Sequence, residues 1–511
     1  MIDFSAAADA IGLLLGSWEP WLVVIPGMCI GLLFGALPGL GASAALALVL
    51  PFTLYMDFLS AIIFMTAIYT GNGFGCAVPA IMLNLPGSTG AVATTFDGFP
   101  MARAGKHNEA LGLGLAASAF AEGLGYVLLF ALVGLIANAV LRLGPPEMFV
   151  VALWGLALIA SLRGDSMARG LLAGVFGLLL GTIGFSARGD IRGTMGFDVL
   201  LDGIPLVPAL MGLFASAELF NLMRSDFIVA DASAREVNLR KILSGVAQAF
   251  RYPSVLVKGS VIGVVIGAVP GVGSSVSNLL AYSEAKRTSD DPESYGKGNP
   301  RGVVAAESAN SSSEAGSMAT LLALGIPGSA SGAVMLAAFA MHNITGGPRF
   351  ITDHTDLVYA IILANFIQVF ALLFFGVGFI YIASSLVKIP VRMLVPMIMA
   401  LSVLGSYALT GNMVGPITYF VFAVLGWFMV RYDYPVAATV IGLLLGHMVE
   451  GELLRTYQMS GGDLTFFLER PIAMGFFALF LISLAWPIFV RRRRASGLAA
   501  PVSIPADDQK T

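Results

Sequence analysis

Charge is scarce in this sequence. Asp, Glu, Lys and Arg make up 12% of its 511 residues, against 57% hydrophobic residues and a mean hydropathy of +0.86. That balance excludes a soluble protein with a solvated surface around one buried core. An excess of either sign is also lacking. With 28 basic and 31 acidic residues, net −3, no basic face exists for a phosphate backbone, so nucleic acid is not a partner. Cys29 and Cys76 stand far apart in apolar segments with no histidine nearby, which fits buried thiols rather than a disulfide framework or a metal site. None of the four histidines has metal-ligand spacing. The first 20 residues hold Asp3 and Asp9 but no Lys or Arg. They lack the basic n-region of a signal peptide and read as a retained interfacial segment. A G-x-x-x-x-G-K-[ST] loop is missing too, so the chain does not hydrolyse ATP.

What is present is a series of apolar runs of about 20 residues, the length that crosses a ~30 Å hydrocarbon layer as a helix. They lie near Trp21–Gly35, Phe58–Leu83, Leu111–Leu141, Met148–Leu162, Gly170–Phe185 and Leu206–Leu222. After a polar stretch come Val255–Val269, Val303–Leu324, Val358–Val387, Val391–Leu409, Val414–Val430, Pro435–Gly446 and Ile472–Val490. The expected fold is an all-α polytopic membrane protein with about 12 transmembrane helices, some broken or re-entrant. The division expected is an interfacial segment 1–20, a first membrane repeat 21–222, a cytoplasmic connector 223–254, a second repeat 255–450, a C-terminal helix 472–490 and a disordered tail 491–511.

An internal repeat carries most of the information. Ile30–Ser43 reads IGLLFGALPGLGAS and Ile262–Ser275 reads IGVVIGAVPGVGSS, an offset of 232 residues with every Gly and Pro in register. Gly75–Ser88 matches Gly316–Ser329 at an offset of 241. Each half therefore has one PGxG break and one PGS break. The connector carries Arg224, Arg235, Arg240, Lys241, Arg251 and Lys258, and Arg491–Arg494 follow the last span; both read as cytoplasmic. Arg103 and Lys106 follow the first PGS break, whereas Arg349 after the second is outweighed by Asp353 and Asp356. Equivalent loops then lie on opposite sides, the pattern of two inverted repeats plus an extra C-terminal helix, with a parallel duplication as the alternative.

Pro-Gly inside an apolar span frees backbone N–H and C=O groups that hydrocarbon cannot satisfy. Helix N-termini following such breaks offer N–H groups and positive dipole ends to a carboxylate, and unwound carbonyls suit a cation. The expected substrate-binding residues are Pro38, Gly39, Gly41 and Ser43, then Pro86, Gly87, Ser88 and Thr89. In the second half they are Pro270, Gly271, Gly273, Ser274, Ser275, Asn310, Pro327, Gly328, Ser329 and Ser331. Asn72, Glu307, Ser311 and Glu314 are candidates for the coupling ion, Na+ or H+; Glu122, Glu218 and Asp97 are the other acids in or beside apolar runs. Each serine alone reads as a hydroxyl bonded to its own helix, and a lone Gly31/Gly35 pair as close packing; the cluster and its duplication point to a site. The sequence around Ser329 lacks the G-x-S-x-G elbow of a hydrolase, so no catalytic residue is expected.

The runs GALPGLGASAALALVLPF (Gly35–Phe52), LNLPGSTGAVATTFDGFPMARAG (Leu83–Gly105) and ESANSSSEAGSMATLLALGIPGS (Glu307–Ser329) resemble the large membrane subunit of the tripartite tricarboxylate transporter family, and the likeness extends over nearly the whole chain. The resemblance implies a secondary transporter of the bacterial inner membrane that works with a small membrane subunit and a periplasmic solute-binding protein. It implies import of di- and tricarboxylates, citrate being the name-giving one, coupled to an ion gradient and without a cofactor. It also implies roles for Pro38, Gly39, Gly41, Pro86, Gly87, Asp97, Gly98, Pro100, Pro270, Gly271, Gly273, Glu307, Asn310, Pro327 and Gly328. The chain departs from the family pattern at Ser311, where a second asparagine is common, and at Phe99, where tyrosine is usual. A single-component permease or channel, and less so an intramembrane hydrolase, are the alternatives.

Overall fold

The computed structural model describes residues 3–37, 41–84, 86–140, 142–162, 167–186, 190–216, 237–270, 273–386 and 391–482. In the first half, helices α1 (Phe4–Gly16), α2 (Val24–Ala36), α3 (Gly41–Thr53), α4 (Phe58–Gly75), α5 (Ala77–Leu83), α6 (Val92–Arg103), α7 (His107–Val140), α8 (Pro145–Leu162), α9 (Met167–Gly181) and α10 (Leu206–Met211) follow one another. The second half holds α11 (Leu239–Ala249), α12 (Pro253–Gly267), α13 (Gly273–Arg287), α14 (Pro300–Leu324), α15 (Ala330–Met341), α16 (Thr355–Leu386), α17 (Val391–Thr410), α18 (Val414–Arg431) and α19 (Val436–Met459). A last apolar helix spans Pro471–Ile482. An all-α polytopic membrane fold is what the composition called for. One addition is a two-stranded antiparallel hairpin, β1 (Gly184–Phe185) with β2 (Ile191–Arg192), tied to α19 by the Arg192–Glu450 ion pair at 2.6 Å.

Among the described residues, six helices are long and apolar enough to cross a membrane, or seven if α11 and α12, bent by 78°, count as one span. Other apolar helices are shorter: α3, α9 and α15 have 13, 15 and 12 residues. Helix α14 is the reverse case. It is 25 residues long and buried almost throughout, yet it carries Glu307, Asn310, Ser311, Ser312, Ser313, Glu314 and Ser317. Its ends follow local rules: Asn299 caps the N-terminus ahead of Pro300, and Gly325 stops the helix in the left-handed region at φ 66°. Its polar residues survive burial because Ser308 and Ser312 each donate to the carbonyl four residues back at 2.7 Å. Residues 223–236 of the connector, 483–490 of the C-terminal helix and the tail 491–511 lie outside the described residues.

The duplication is visible in packing. Helix α2 lies along α4, and α12 lies along α14 in the same way. A Cβ on Gly27, Gly31 or Gly35 would strike α4 or the residue after it, at Phe64 O, Ile68 O and Cys76 N. One on Gly259, Gly263 or Gly267 would strike α14 at Ser308, Ser312 and Ser313. The second glycine stripe follows the first at the same 232-residue offset as the PGxG motif. With no room for a side chain, backbone meets backbone, the close approach that small residues permit between apolar helices.

The halves also exchange partners. Helix α3 of the first packs on α15 of the second, and α13 of the second packs on the turn Thr89–Ala91 and on α6 of the first. Helix α9 lies along α19, and the π-helical turn Gly212–Ser216 after α10 lies along α18.

Candidate functional site

Four interrupted helices form the site. Helix α3 starts at Gly41 (φ 45°) and α13 at Gly273 (φ 54°), both in the left-handed region that favours glycine. After the PGS breaks, Ser88 and Ser329 are N-caps with extended backbones, accepting from the N–H of Gly90 at 3.3 Å and of Gly332 at 3.0 Å. These two hydroxyls are bonded to their own helices, as single serines usually are. Gly87 lies so close to the Gly35 carbonyl that a Cβ would overlap it, and a Cβ on Gly328 would come within 2.8 Å of the Gly267 carbonyl. The PGS glycine of each half is thus pressed onto the end of that half's first glycine stripe.

The breaks of the two halves then meet. Thr89 and Ser275 share a hydrogen bond at 2.7 Å, and Asn278 Nδ2 donates to the Thr89 carbonyl at 3.1 Å. Tyr69 of the first half bonds Ser329 of the second at 3.1 Å, and Asn310 of the second donates to the Gly73 carbonyl of the first at 2.9 Å. Tyr69 and Asn310 are themselves 241 residues apart, so equivalent positions reach across in opposite directions.

Between these contacts lies a cavity of about 640 Å³, the size of a small-molecule site. Gly41 to Ala44, Pro86 to Thr89, Gly273 to Ser275 and Ser329 to Ser331 all line it. Residues at or just before the starts of four helical segments therefore border one space, and helix starts are where unpaired N–H groups and positive dipole ends lie. No Lys, Arg or His lines it among the described residues; Glu314 and Asp433 are the acids on its wall. Residues Val430, Tyr434, Val436 and Ile441, with Leu213 and Phe214, close the remaining side.

Gly41, Ser43, Asn72, Pro86, Gly87, Ser88, Thr89, Gly273, Ser274, Ser275, Asn310, Glu314, Ser329 and Ser331 come together on this cavity. Pro38, Gly39 and Gly271 lie outside the described residues. Pro270, Pro327 and Gly328 shape the breaks without lining the cavity. Ser311 is buried next to Glu314, its hydroxyl without a hydrogen-bond partner. Glu307 stands apart from the cavity, fully buried, accepting from Thr94 and, at 3.1 Å, from Ser118.

Asp97 does something the sequence did not suggest. Its carboxylate accepts from the N–H groups of Gly296 (2.9 Å), Gly298 (2.9 Å) and Asn299 (2.8 Å) and from the Tyr282 hydroxyl (2.9 Å). Burial pushes its pKa above the ordinary aspartate range, against the pull of these donors. It fastens α6 of the first half to the hydrophilic loop ahead of α14.

Sequence reasoning missed Tyr69, Gly73 and Cys76, which line the cavity. The 241-residue offset was the available signal for Tyr69, since it pairs that residue with Asn310. Nothing in the sequence pointed to the wall formed by α18 and α19.

Residues 21–441 match the profile of the tripartite tricarboxylate transporter TctA family. The chain is 32% identical over 457 residues to an "uncharacterized 52.8 kDa protein in TAR-I ttuC' 3'region" of Agrobacterium vitis, covering 89% of this chain and 90% of the relative. It is 32% identical over 220 residues to an "uncharacterized protein in TAR-II ttuC' 3'region" of the same organism, covering 43% of this chain and 91% of the relative. No solved structure matches it.

Proposed function

This chain belongs to the tripartite tricarboxylate transporter TctA family, and from that premise we propose that it is the permease subunit of a binding-protein-dependent secondary transporter. It imports small organic di- or tricarboxylate anions, driven by an ion gradient, Na+ or H+. Its partners are a small membrane subunit and a periplasmic solute-binding protein, and it sits in the bacterial inner membrane with its C-terminus in the cytoplasm. The observation that carries the reading is the convergence of four helix N-termini on one cavity lined by hydroxyls and amides. N–H dipoles and uncharged donors can hold a carboxylate and release it again, whereas a buried lysine or arginine would carry a heavy desolvation cost when empty.

The two-fold exchange of contacts supports an inverted repeat, in which each half presents its breaks from the opposite face. A catalytic role finds no such support: the Ser329 hydroxyl is engaged with Tyr69, Ser317 and the N–H of Gly332. Uptake of a panel of radiolabelled di- and tricarboxylates by cells expressing all three components tests the proposal. Saturable accumulation that requires this chain and is lost when the binding protein is omitted is the expected result. Uptake by this chain alone would overturn the tripartite part of it.

A further inference from the structure

Behind the cavity wall, two acidic side chains meet α4 one turn apart, Glu122 at Thr70 and Glu314 at Gly73. Glu314 projects from α14 and lines the cavity, and Glu122 projects from α7 behind it. Both are buried, 2% and 0% exposed, and their carboxyl groups lie within side-chain hydrogen-bonding reach of each other. Glu122 Oε1 accepts from the Thr70 hydroxyl at 3.0 Å, while the Oε2 atom of each acid has no donor. Two further buried groups are unpartnered, Ser311 Oγ and Asn72 Nδ2. Ser311 Oγ and Glu314 Oε1 border the same small space over Gly73, 3.4 and 3.0 Å from where its Cβ would be. Gly73 and Glu314 occupy equivalent positions of the two halves, 241 residues apart. The missing side chain on one half makes room for the carboxyl of the other.

The ionisable groups facing this pair are Tyr69 from α4 and Tyr126 from α7, with Glu307 and Cys76 farther along the same wall. No Lys, Arg or His is among the buried residues described. Two ionised carboxylates in contact, with no protein cation to offset them, repel strongly in a low-dielectric interior. One proton shared between them removes that repulsion.

We propose that Glu122 and Glu314 hold one proton between them and form the coupling site of the transporter, an inference that rests on the transport reading above. The Thr70 hydroxyl favours the anion on Glu122, so the proton sits on Glu314, whose O–H donates to Glu122. Direct carboxyl contact suits a proton; a sodium ion would need the acids spread apart and several more oxygen ligands. Because Glu314 faces the cavity, an anion bound there disfavours its ionised form. Substrate binding then strengthens proton binding, and the proton strengthens substrate binding by the same factor. The step balances simply: a carboxylate takes up a proton from the cavity side to become the acid and returns it when the anion has left.

Two measurements test this, and they fail separately. Infrared difference spectra of the purified full-length chain across a pH titration are expected to show the C=O stretch of a protonated carboxyl that is lost in both Glu122→Gln and Glu314→Gln. Thr70→Val, which removes no carboxyl, is expected to move its titration to higher pH. Persistence of the band in both Gln variants, or an unmoved titration in Thr70→Val, overturns the shared proton. In cells with the complete system, gradient-driven accumulation is expected to follow the proton gradient and to fall roughly tenfold in either Gln variant, within the usual range of coupling between sites. Accumulation that follows sodium and ignores pH overturns the coupling role. Absence of any uptake or exchange by the wild type overturns the transport reading, while the infrared result still decides whether the pair shares a proton.

Discussion

The hydroxyl of Thr89, from the PGS break of the first half, lies 2.7 Å from that of Ser275, from the PGxG break of the second. Two interruptions 186 residues apart in the chain meet at one hydrogen bond. Cysteines at both positions, in a chain with Cys29 and Cys76 replaced by serine, are expected to form a disulfide on mild oxidation. Uptake should stop on oxidation and return on reduction. A chain that cross-links and still transports at full rate would show that these tips do not separate during the cycle.

Gly87 and Gly328 have no room for a side chain beside the carbonyls of Gly35 and Gly267. Alanine at either position is expected to cost about 1–3 kcal/mol, as overpacking does, and to reduce uptake strongly while the protein remains inserted. Thermal unfolding followed by fluorescence size-exclusion, together with anion uptake, checks both parts.

The glycine stripes should answer differently. Gly31→Leu or Gly263→Leu forces α2 from α4 or α12 from α14, so loss of folded protein is expected rather than a selective loss of transport. Gly12 and Gly378 have open space where a Cβ would go; alanine there is the control and should leave yield unchanged.

Asp97→Ala leaves three backbone N–H groups and the Tyr282 hydroxyl without their acceptor. An orphaned buried donor costs about 1–3 kcal/mol. The loop 288–299 is therefore expected to become sensitive to limited proteolysis. Asp97→Asn, which keeps one acceptor oxygen, should be intermediate.

The breaks and their register were legible because Pro and Gly leave local marks that a duplicated chain repeats. Ser88, Ser275 and Ser329 reached the cavity for that reason. The neighbours that complete the site were not legible, because packing brings them there. Tyr69 looks like one aromatic in an apolar run, and Asp97 and Glu122 like any of five acids in or beside such runs, until the helices are packed together. Span number is not legible for the same reason: a run of apolar residues does not say whether its helix crosses the bilayer or stops halfway. Glu307 was a fair candidate by its surroundings in sequence, yet it points to Thr94 and Ser118 instead of the cavity.

Helices locked backbone to backbone along Gly27, Gly31 and Gly35, and again along Gly259, Gly263 and Gly267, have no slack for sliding over one another. Each pair must travel as a single stiff beam through any cycle of opening and closing. The give in the machine then has to be sought where longer side chains separate the elements, and labels placed within a beam should report a constant distance whichever side of the bilayer the anion faces.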